Sequence, residues 1–272
     1  MVRGLDHVVH VVKDLDAAAR SYEALGFTVT PTAHHPWGTS NRLVQLDHFF
    51  IEILTVRDQT LIPNHTDTAF SFGSHCRGFL EDREGAAMLV LESGNPDEDR
   101  KAFEDLGLAV YDPFSFQREA TFGDGTKATV GFDLTFTSTP QAPGLGFFTC
   151  FHRYPDVFWR REFQAHPNGA NRILELIMVA NDPSDLHEFL GGFTGQREMR
   201  ATSLGLEIAT PRGLITVLSP GAFAALYADA DPIVPADGGP VIAGVVIGNS
   251  NGMAEKSVEI SQIAGMMVAR RG

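Results

Sequence analysis

Leu-Asp-His-Val-Val-His-Val-Val (Leu5–Val12) begins the stretch that decides the fold of this chain. A segment with apolar residues at helical spacing follows it from Asp14 to Leu25, and Phe-Phe-Ile-Glu-Ile-Leu-Thr-Val (Phe49–Val56) closes the stretch. The two apolar runs predict strands, and the middle segment predicts a helix with Asp14 as its N-terminal cap. Two further strands are predicted between the helix and the last strand, at Phe27–Thr30 and Arg42–Leu46.

Two polar residues stand inside these apolar strands. Because alternate residues of a strand face the same side, His7 shares a face with Val9, and Glu52 shares a face with Phe50. An imidazole or a carboxylate is costly to bury without a partner. A metal ion would satisfy both groups, whereas a hydrogen-bonded core histidine and a salt bridge from Glu52 to Arg42 are the structural alternatives.

The composition limits the class of protein. The chain has 272 residues, with 21 basic and 34 acidic side chains and a net charge of −13. Nucleic acids and anionic membranes attract basic surfaces, so neither is expected as a partner. Apolar runs such as Pro240–Ile247 are too short to span a bilayer, and no basic-then-apolar leader opens the sequence. Two cysteines indicate no disulfide framework, so we expect a cytoplasmic protein.

The pattern of the first stretch returns further along the chain. Laying Gly26 on Gly107 also lays the helix cap Asp14 on Asn95, and it lays His7 on Met88. One supersecondary unit is therefore repeated, weak in identity but consistent in order. The second copy is predicted as the strand Ala86–Leu91, the helix Asp97–Leu106, and strands at Leu108–Tyr111, Gln117–Phe122, Thr126–Phe136 and Gly146–Phe151.

A third copy follows a turn-rich segment. It is predicted as the strand Arg172–Ala180, the helix Ser184–Leu190 with the cap Asp182, and strands near Glu198–Thr202, Gly205–Thr210 and Gly213–Leu218. A truncated fourth copy is predicted as the strand Val241–Ile247 and a helix over Met253–Val268.

These units predict an α+β fold, in which tandem βαβββ units form half-barrel sheets with helices outside. The first domain is expected over residues 1–153, with one unit over 3–56 and another over 85–153. Between these units, residues 57–84 predict an irregular loop with one short helix. A linker is expected over 154–171 and a C-terminal domain over 172–272, which holds the third and the truncated fourth unit.

The repeated unit, with His on its first strand and Glu on its fourth, resembles the vicinal oxygen chelate superfamily of glyoxalases, extradiol dioxygenases and bleomycin-resistance proteins. The resemblance covers residues 3 to about 180. Three further segments are similar to the glyoxalase-like members: Gly38-Thr39-Ser40-Asn41-Arg42, His166-Pro167-Asn168-Gly169-Ala170, and Cys150-Phe151-His152-Arg153-Tyr154-Pro155 with Trp159. Many chemistries share this scaffold, so the resemblance implies the fold more firmly than the reaction.

The resemblance implies a divalent metal ion bound by the first and fourth strands of paired units. His7 and Glu52 match this pattern, and His152 is the candidate that the second unit's last strand offers. Met88 departs from the pattern, because methionine is a poor ligand for a hard ion. In the third unit Glu175 stands at the histidine position and Thr216 near the glutamate position, so no second metal site is expected.

Other residues are candidates for contacts with a substrate. His35 is the candidate general base beside Glu52, although histidines on a loop are more often solvated. The substrate-binding candidates are His34, Trp37, Thr39, Asn41, Cys150 and His166. Each has a structural alternative: a tight turn for the Gly38–Asn41 segment, packing for the tryptophan and the cysteine, and a loop role for His166.

The favoured hypothesis is a metal-dependent enzyme that acts on a small oxygen-bearing substrate. Iron, manganese, zinc or nickel would bind two substrate oxygens and stabilise an enolate or oxyanion, in an isomerase, a lyase or a dioxygenase. The alternative is a metal-free protein that sequesters a planar ligand, since 20 Phe and two Trp residues could line a cavity. A scaffolding role is a third alternative. The resemblance also implies a homodimer, and it leaves open whether units pair within or between chains.

Overall fold

The structure of the chain is a computed structural model that describes residues 1–121, 125–230, 234, 239–249 and 258–271. Its first part consists of β1 (Leu5–Val11), α1 (Leu15–Ala24), β2 (Ala33–His34), β3 (Thr39–Leu46), β4 (Phe49–Val56), a 3₁₀ turn (Gln59–Leu61), α2 (Phe72–Asp82), β5 (Gly85–Glu92), α3 (Pro96–Asp105), β6 (Phe114–Thr121), β7 (Lys127–Thr137) and β8 (Gly146–His152). Two short helices follow, α4 (Pro155–Phe158) and α5 (Arg161–Gln164).

The second part contains a further set of strands and helices. It consists of β9 (Arg172–Val179), a 3₁₀ turn (Pro183–Leu186), α6 (His187–Thr194), β10 (Arg200–Ala201), β11 (Gly205–Ala209), β12 (Leu214–Leu218), α7 (Pro220–Leu226), β13 (Val241–Gly248), β14 (Val258–Ile263) and β15 (Met266–Arg271).

The strands form one open sheet made of two similar parts. The first half-barrel has the order β2-β3-β4-β1-β5-β8-β7-β6, with β1 parallel to β4 and β5 parallel to β8. The second half-barrel has the order β10-β11-β12-β9-β13-β15-β14, with β9 parallel to β12 and β13 parallel to β15. The two join where Ile242 of β13 pairs with Ala86 of β5. The α+β prediction of tandem units with helices outside is confirmed.

The helix starts follow the repeat that the sequence shows. Asp14 accepts a hydrogen bond from the Ala17 N–H, and Asn95 caps α3 by accepting from the N–H groups of Asp97 and Glu98. Asp182 caps the 3₁₀ turn that leads into α6. These side chains satisfy N–H groups that lack a partner in the first turn of a helix. The three predicted caps are therefore found, although in the third copy a 3₁₀ turn comes first and α6 begins only at His187.

Some predicted elements differ in the structure. Phe27–Thr30 and Leu108–Tyr111 form no strand, and the chain pairs later, at β2 and β6. The helix expected over Met253–Val268 lies outside the described residues up to 257, and its described part forms the β14–β15 hairpin. Met266 and Val268 face the shared core and Met267 and Ala269 face the opposite side of the sheet, so four successive residues of β15 are buried. A short apolar run of this kind cannot be told from a buried helix by its spacing.

Two faces of the sheet carry different cores. A shared core fills the space between the half-barrels and includes Val8, Tyr22, Leu176 and Val217. The opposite face of each half-barrel, which we call its inner face, has a separate apolar cluster. A helix that follows the fourth strand packs into each cluster, namely α2 in the first half-barrel and α7 in the second. The inner face of the first half-barrel holds the candidate site.

Candidate functional site

A pocket that opens to solvent lies on the inner face of the first half-barrel. Side chains from β1, β3, β4, β6, β7 and β8 line it, because alternate residues of each strand face inward. The lining residues are His7, His35, Trp37, Asn41, Leu43, Phe50, Glu52, Phe72, Phe116, Arg118, Phe132, Leu134, Phe148, Cys150 and Phe158. A few polar groups thus stand in a largely aromatic wall, which is typical of a small-molecule site.

His7 and Glu52 meet in this cavity, as their strand positions predict. The parallel pairing of β1 with β4 places His7 beside Phe50 and Val9 beside Glu52. His7 Nε2 lies 3.9 Å from Glu52 Oε2, and the His7 ring stacks on Phe50 at 4.2 Å between centroids. The proposed salt bridge from Arg42 to Glu52 is absent among the described residues, because Arg42 reaches Asp16 and Glu23 instead.

Asp6 holds His7 in place, a role that no pattern in the sequence indicates. His7 Nδ1–H donates to Asp6 Oδ2 over 2.5 Å, and His152 Nε2–H donates to Asp6 Oδ1 over 2.9 Å. Burial works against the ionisation of Asp6, but the charges and hydrogen bonds of His152 and His7 outweigh it and hold its pKa well below the usual range. With Nδ1 bonded to Asp6, the Nε2 atom of His7 is the one that faces Glu52.

Glu52 is a buried carboxyl group, only 6% exposed, at the wall of the cavity. Burial raises the pKa of Glu52, and the charge of His7 and a hydrogen bond from Asn41 act in the opposite direction. The Asn41 amide donates to Oε1 over 2.5 Å, whereas no hydrogen bond to Oε2 is found within the described part of the chain. Glu52 therefore has one fixed oxygen, one oxygen free for a ligand, and a raised pKa suited to proton transfer.

His35 faces the other oxygen of the same carboxyl group. Its Nε2 atom lies 4.0 Å from Glu52 Oε1, while Nδ1 bonds to Thr39 Oγ1 at 2.8 Å. The ring stacks on Trp37 at 4.5 Å. Burial, with smaller effects from the charges of Arg118 and His34, lowers the pKa of His35 to about 3. At neutral pH the imidazole is therefore uncharged and a weak base, with a lone pair that can accept a hydrogen bond or bind a metal ion.

Arg118, on β6, is a second residue that the sequence analysis missed. It lines both the cavity and an adjoining vestibule, which His34 also borders. Burial lowers the pKa of Arg118, and the charge of Glu52 opposes this effect. The signal in the sequence is weak, because the alternation of Phe114, Phe116 and Arg118 becomes visible only when the strand is known to begin at 114.

The remaining candidates lie in different places. Trp37, Asn41 and Cys150 line the cavity, and Thr39 supports His35. His34 lies in the vestibule, where it bonds to Ser40. His166 lies outside the cavity: its Nδ1 accepts from the Thr28 N–H, and its Nε2 bonds to the Gln45 carbonyl. Both of its ring nitrogens thus fix a loop against β3.

The strand register shows what the second unit contributes. Met88 pairs with Gly146 as His7 pairs with Phe50, so Phe148 takes the position that Glu52 has in the first unit. His152 lies four residues beyond that position and reaches the site through its bond to Asp6. The metal-ligand positions of the second unit therefore hold Met88 and Phe148, neither of which binds hard ions.

Two pairs of donor atoms in the first unit lie within the reach of one divalent ion. Two ligands of one ion, each about 2.1 Å from it, lie at most about 4.2 Å apart. The His7–Glu52 and His35–Glu52 separations both meet this limit. The described residues also bring the ligand atoms of Asp6, His7 and Cys150 within 4.8 Å of one another. Asp6 is already bonded to His7 there, and burial raises the pKa of the Cys150 thiol, so Glu52 with one histidine fits better.

Comparisons with known proteins agree with this architecture. The model of a family described as a glyoxalase-like domain matches residues 5–193. A hypothetical protein from Staphylococcus aureus has a similar structure, with a TM-score of 0.76, 12% identity, and 99% of each chain covered. A xylose isomerase-like TIM barrel/4-hydroxyphenylpyruvate dioxygenase fusion protein has a TM-score of 0.53 at 11% identity, over 91% of this chain and 36% of that chain. At these identities the likeness shows the fold alone.

A weaker likeness joins the chain to methylmalonyl-CoA epimerase from Mycobacterium tuberculosis, with 19% identity over 54% of this chain and 87% of the other. Its TM-score of 0.39 carries no argument about this protein. None of the curated proteins matches the sequence. Within the described ranges, no helix has the length and apolar character needed to cross a membrane.

Proposed function

The chain belongs to the glyoxalase-like domain family of the vicinal oxygen chelate superfamily, and from this premise we propose that it is an enzyme that moves a proton on a small oxygen-bearing substrate. The observation that carries the proposal is the buried Glu52 carboxyl, with its raised pKa and its Oε2 atom free in the cavity. A buried carboxyl without a fixed cation is costly to maintain, so a catalytic use explains its presence better than stability does.

In the proposed reaction Glu52 Oε2 removes a proton from a carbon next to a carbonyl group. The electron pair of the broken C–H bond moves into the carbonyl, whose oxygen becomes an enolate. The protonated Glu52 then returns its proton to the same carbon or to a neighbouring atom, so atoms and charge balance in an epimerisation or isomerisation. Asn41 fixes the carboxyl through Oε1, and the aromatic wall excludes water from the enolate.

His7 and Glu52 would hold a divalent ion, whose chemistry when bound is to polarise a substrate oxygen as a Lewis acid. Asp6 supports this arrangement, because a carboxylate on the far nitrogen of a histidine is the usual partner of a metal-binding imidazole. If Glu52 serves as a ligand, His35 is another titratable group beside the same carboxyl, and its lowered pKa makes it a weak base there. Iron or manganese would favour the dioxygenase alternative, whereas zinc or nickel would favour an isomerase or a lyase.

The test combines elemental analysis with proton exchange. Tag-free wild type, His7→Ala, Glu52→Gln and His152→Ala are assayed for bound metal and for exchange of substrate C–H protons with D₂O by NMR, on a panel of small carbonyl compounds. We expect about one divalent ion per chain, lost in the His7 and Glu52 variants, and exchange reduced about 10²- to 10⁴-fold by Glu52→Gln. His152→Ala distinguishes two roles of His152. Loss of metal in this variant would indicate that His152 is a third ligand, and retained metal would indicate that it only supports Asp6.

A matched control and a contradicting result make the test decisive. Thr216→Val changes the corresponding position of the second half-barrel and is expected to leave metal content and exchange unchanged. Wild-type protein without metal after incubation with these ions would remove the metal from the proposal. Exchange that Glu52→Gln leaves intact would overturn the role of Glu52.

The second candidate function is metal-free sequestration of a planar ligand. It is favoured by the aromatic lining and by Met88 and Phe148 at the ligand positions of the second unit. A binding protein of this kind would hold planar aromatic compounds equally well in wild type, His7→Ala and Glu52→Gln, and no variant would catalyse exchange. The homodimer, the cytoplasmic location and the division into domains also remain proposals, and light scattering tests the first of them.

A further inference from the structure

Three buried polar atoms on the cavity wall have no hydrogen-bond partner among the described residues. They are Arg118 Nε, Trp37 Nε1 and Asn41 Oδ1. Buried polar groups are nearly always paired, so such a cluster in one cavity indicates a ligand that supplies the partners. Two of the three atoms are donors and one is an acceptor, so the ligand must offer both an acceptor and a donor group.

Arg118 sets the charge of that ligand. Its side chain is the cation of the cavity wall, and within the described chain no carboxylate lies within 4.0 Å of its guanidinium nitrogens, the limit for an ion pair. Glu52 attracts Arg118 only at longer range, which raises the pKa of Arg118 and lowers that of Glu52 against the effects of burial. A half-buried cation left in this way favours an anionic ligand.

The chemistry of the wall narrows the anion to a carboxylate. The guanidinium fork matches the two oxygens of a carboxylate. A dianion is disfavoured, because it would meet a single cation with the acidic Glu52 nearby, in a chain of net charge −13. The phenylalanines around Arg118, among them Phe116, Phe132 and Phe158, require an apolar body. A hydroxyl group on the ligand would donate to Asn41 Oδ1.

We propose that the substrate is a small carboxylate monoanion with an apolar or aromatic body and an oxygen function near the carboxylate, and that Arg118 binds the carboxylate. This inference rests on the proposed function of the same cavity. Arg118 lies on β6 beside the vestibule, and Glu52 lies on β4 deeper in the cavity. The carboxylate therefore stays at the mouth, and the adjacent carbon points toward Glu52.

The probes are 3-phenyllactate, its neutral amide and phenyl phosphate, and binding is measured by isothermal titration calorimetry. Wild type is expected to bind the carboxylate more tightly than the amide and the dianion. Arg118→Gln is expected to weaken carboxylate binding roughly 30-fold and to leave amide binding within about twofold. Arg118→Lys is expected to recover part of the affinity, because it keeps the charge but not the fork.

Arg200→Gln is the matched control, since Arg200 is exposed and pairs with Glu207 at the far edge of the sheet. Thermal melting confirms that each variant is folded. Equal carboxylate affinity in wild type and Arg118→Gln overturns the inference, and so does a wild type that binds none of the carboxylate at millimolar concentration. Glu52→Gln separates the two proposals: if it keeps carboxylate binding and also keeps proton exchange, the proposed function fails while the inference about Arg118 stands.

Discussion

The two half-barrels have the same strand pairing but opposite interiors. In the first, β1 and β4 bring His7 and Glu52 into an open cavity. In the second, β9 and β12 pair so that Glu175 lies opposite Leu214, as His7 lies opposite Phe50, and Thr216 takes the position of Glu52. The same scaffold thus has polar side chains on the inner face of one half and an apolar core on the inner face of the other.

The difference arises from the segment that follows the fourth strand. In the second half-barrel α7 begins directly after its cap Ser219, and it drives Phe223 and Tyr227 into the inner face. In the first half-barrel residues 57–71 intervene, so that α2 reaches the inner face with Phe72 at one side of the cavity. The connection after the fourth strand therefore differs between the two half-barrels in its length and in where its helix meets the inner face.

The largest change in stability is expected from removing a buried ring from the apolar core of the second half-barrel. Phe223→Ala removes a completely buried ring from the inner cluster of the second half-barrel. We expect the free energy of unfolding to fall by about 4 kcal/mol, because both the transfer energy of the ring and its contacts are lost. Urea unfolding followed by circular dichroism measures the change.

Phe158→Ala in the first half-barrel is the matched substitution. Phe158 borders the open cavity, so fewer contacts are lost and the expected destabilisation is smaller. Equal losses for the two variants would show that the first cavity is as tightly packed as the second, which would remove the contrast.

The next effect concerns the seam between the halves, where His10 of β1 meets the β14–β15 turn. Its ring bonds to the Tyr22 hydroxyl and to the Ala264 carbonyl. Burial lowers the pKa of His10 to about 4, although the Ala264 carbonyl and the charge of Glu84 oppose this shift. Between about pH 6.5 and 4 the unfolded chain therefore binds a proton that the folded chain does not.

The sign of the pH effect follows from that difference. Stability from the neutral His10 is present above pH 6.5 and is lost as the pH falls toward 4, by about 3 kcal/mol in total. Other buried histidines add to the slope, so the contribution of His10 is the difference between wild type and His10→Gln. Identical slopes of unfolding free energy against pH in the two proteins would contradict the expectation.

The smallest effect is expected at Thr216, the counterpart of Glu52. Its hydroxyl is buried and has no hydrogen-bond partner among the residues described. Thr216→Val removes this unpaired group with little change in shape, so we expect a gain of about 1 kcal/mol or less in unfolding free energy. Differential scanning calorimetry measures the gain, and a loss above 1 kcal/mol would mean that the hydroxyl has a partner in solution.

Asn41→Leu is the corresponding change in the open half. It also removes an unpaired buried atom, Asn41 Oδ1, but it deletes the donor that fixes Glu52. The expected result is therefore reduced proton exchange, whatever happens to stability. The pair of variants shows whether the polar groups of the open half are kept for function.

Much of the fold could be predicted because its signals are local. The cap Asp14, the strand Phe49–Val56 and the inward faces of His7 and Glu52 each depend on spacing within a few residues, and each is found as predicted. The helix expected over Met253–Val268 was wrong in its described part, because a strand whose alternate residues are buried in two different cores shows no period in its sequence. Strand position alone could not show that His152 bonds to Asp6 or that His166 serves a loop.

By itself the sequence determined the repeated unit, its helix starts and the pair of polar residues on facing strands, since backbone geometry turns residue spacing directly into shared faces. Only the tertiary structure decided that Asp6 orients His7, that Arg118 lines the same pocket as Glu52, and that α7 packs into the inner face of the second half-barrel. Asp6 and His7 are neighbours in the sequence, but Asp6 is also bonded to the distant His152, and the other contacts join distant residues or depend on how a connection runs. They are set by strand register and by competition for one buried face, which no local pattern records.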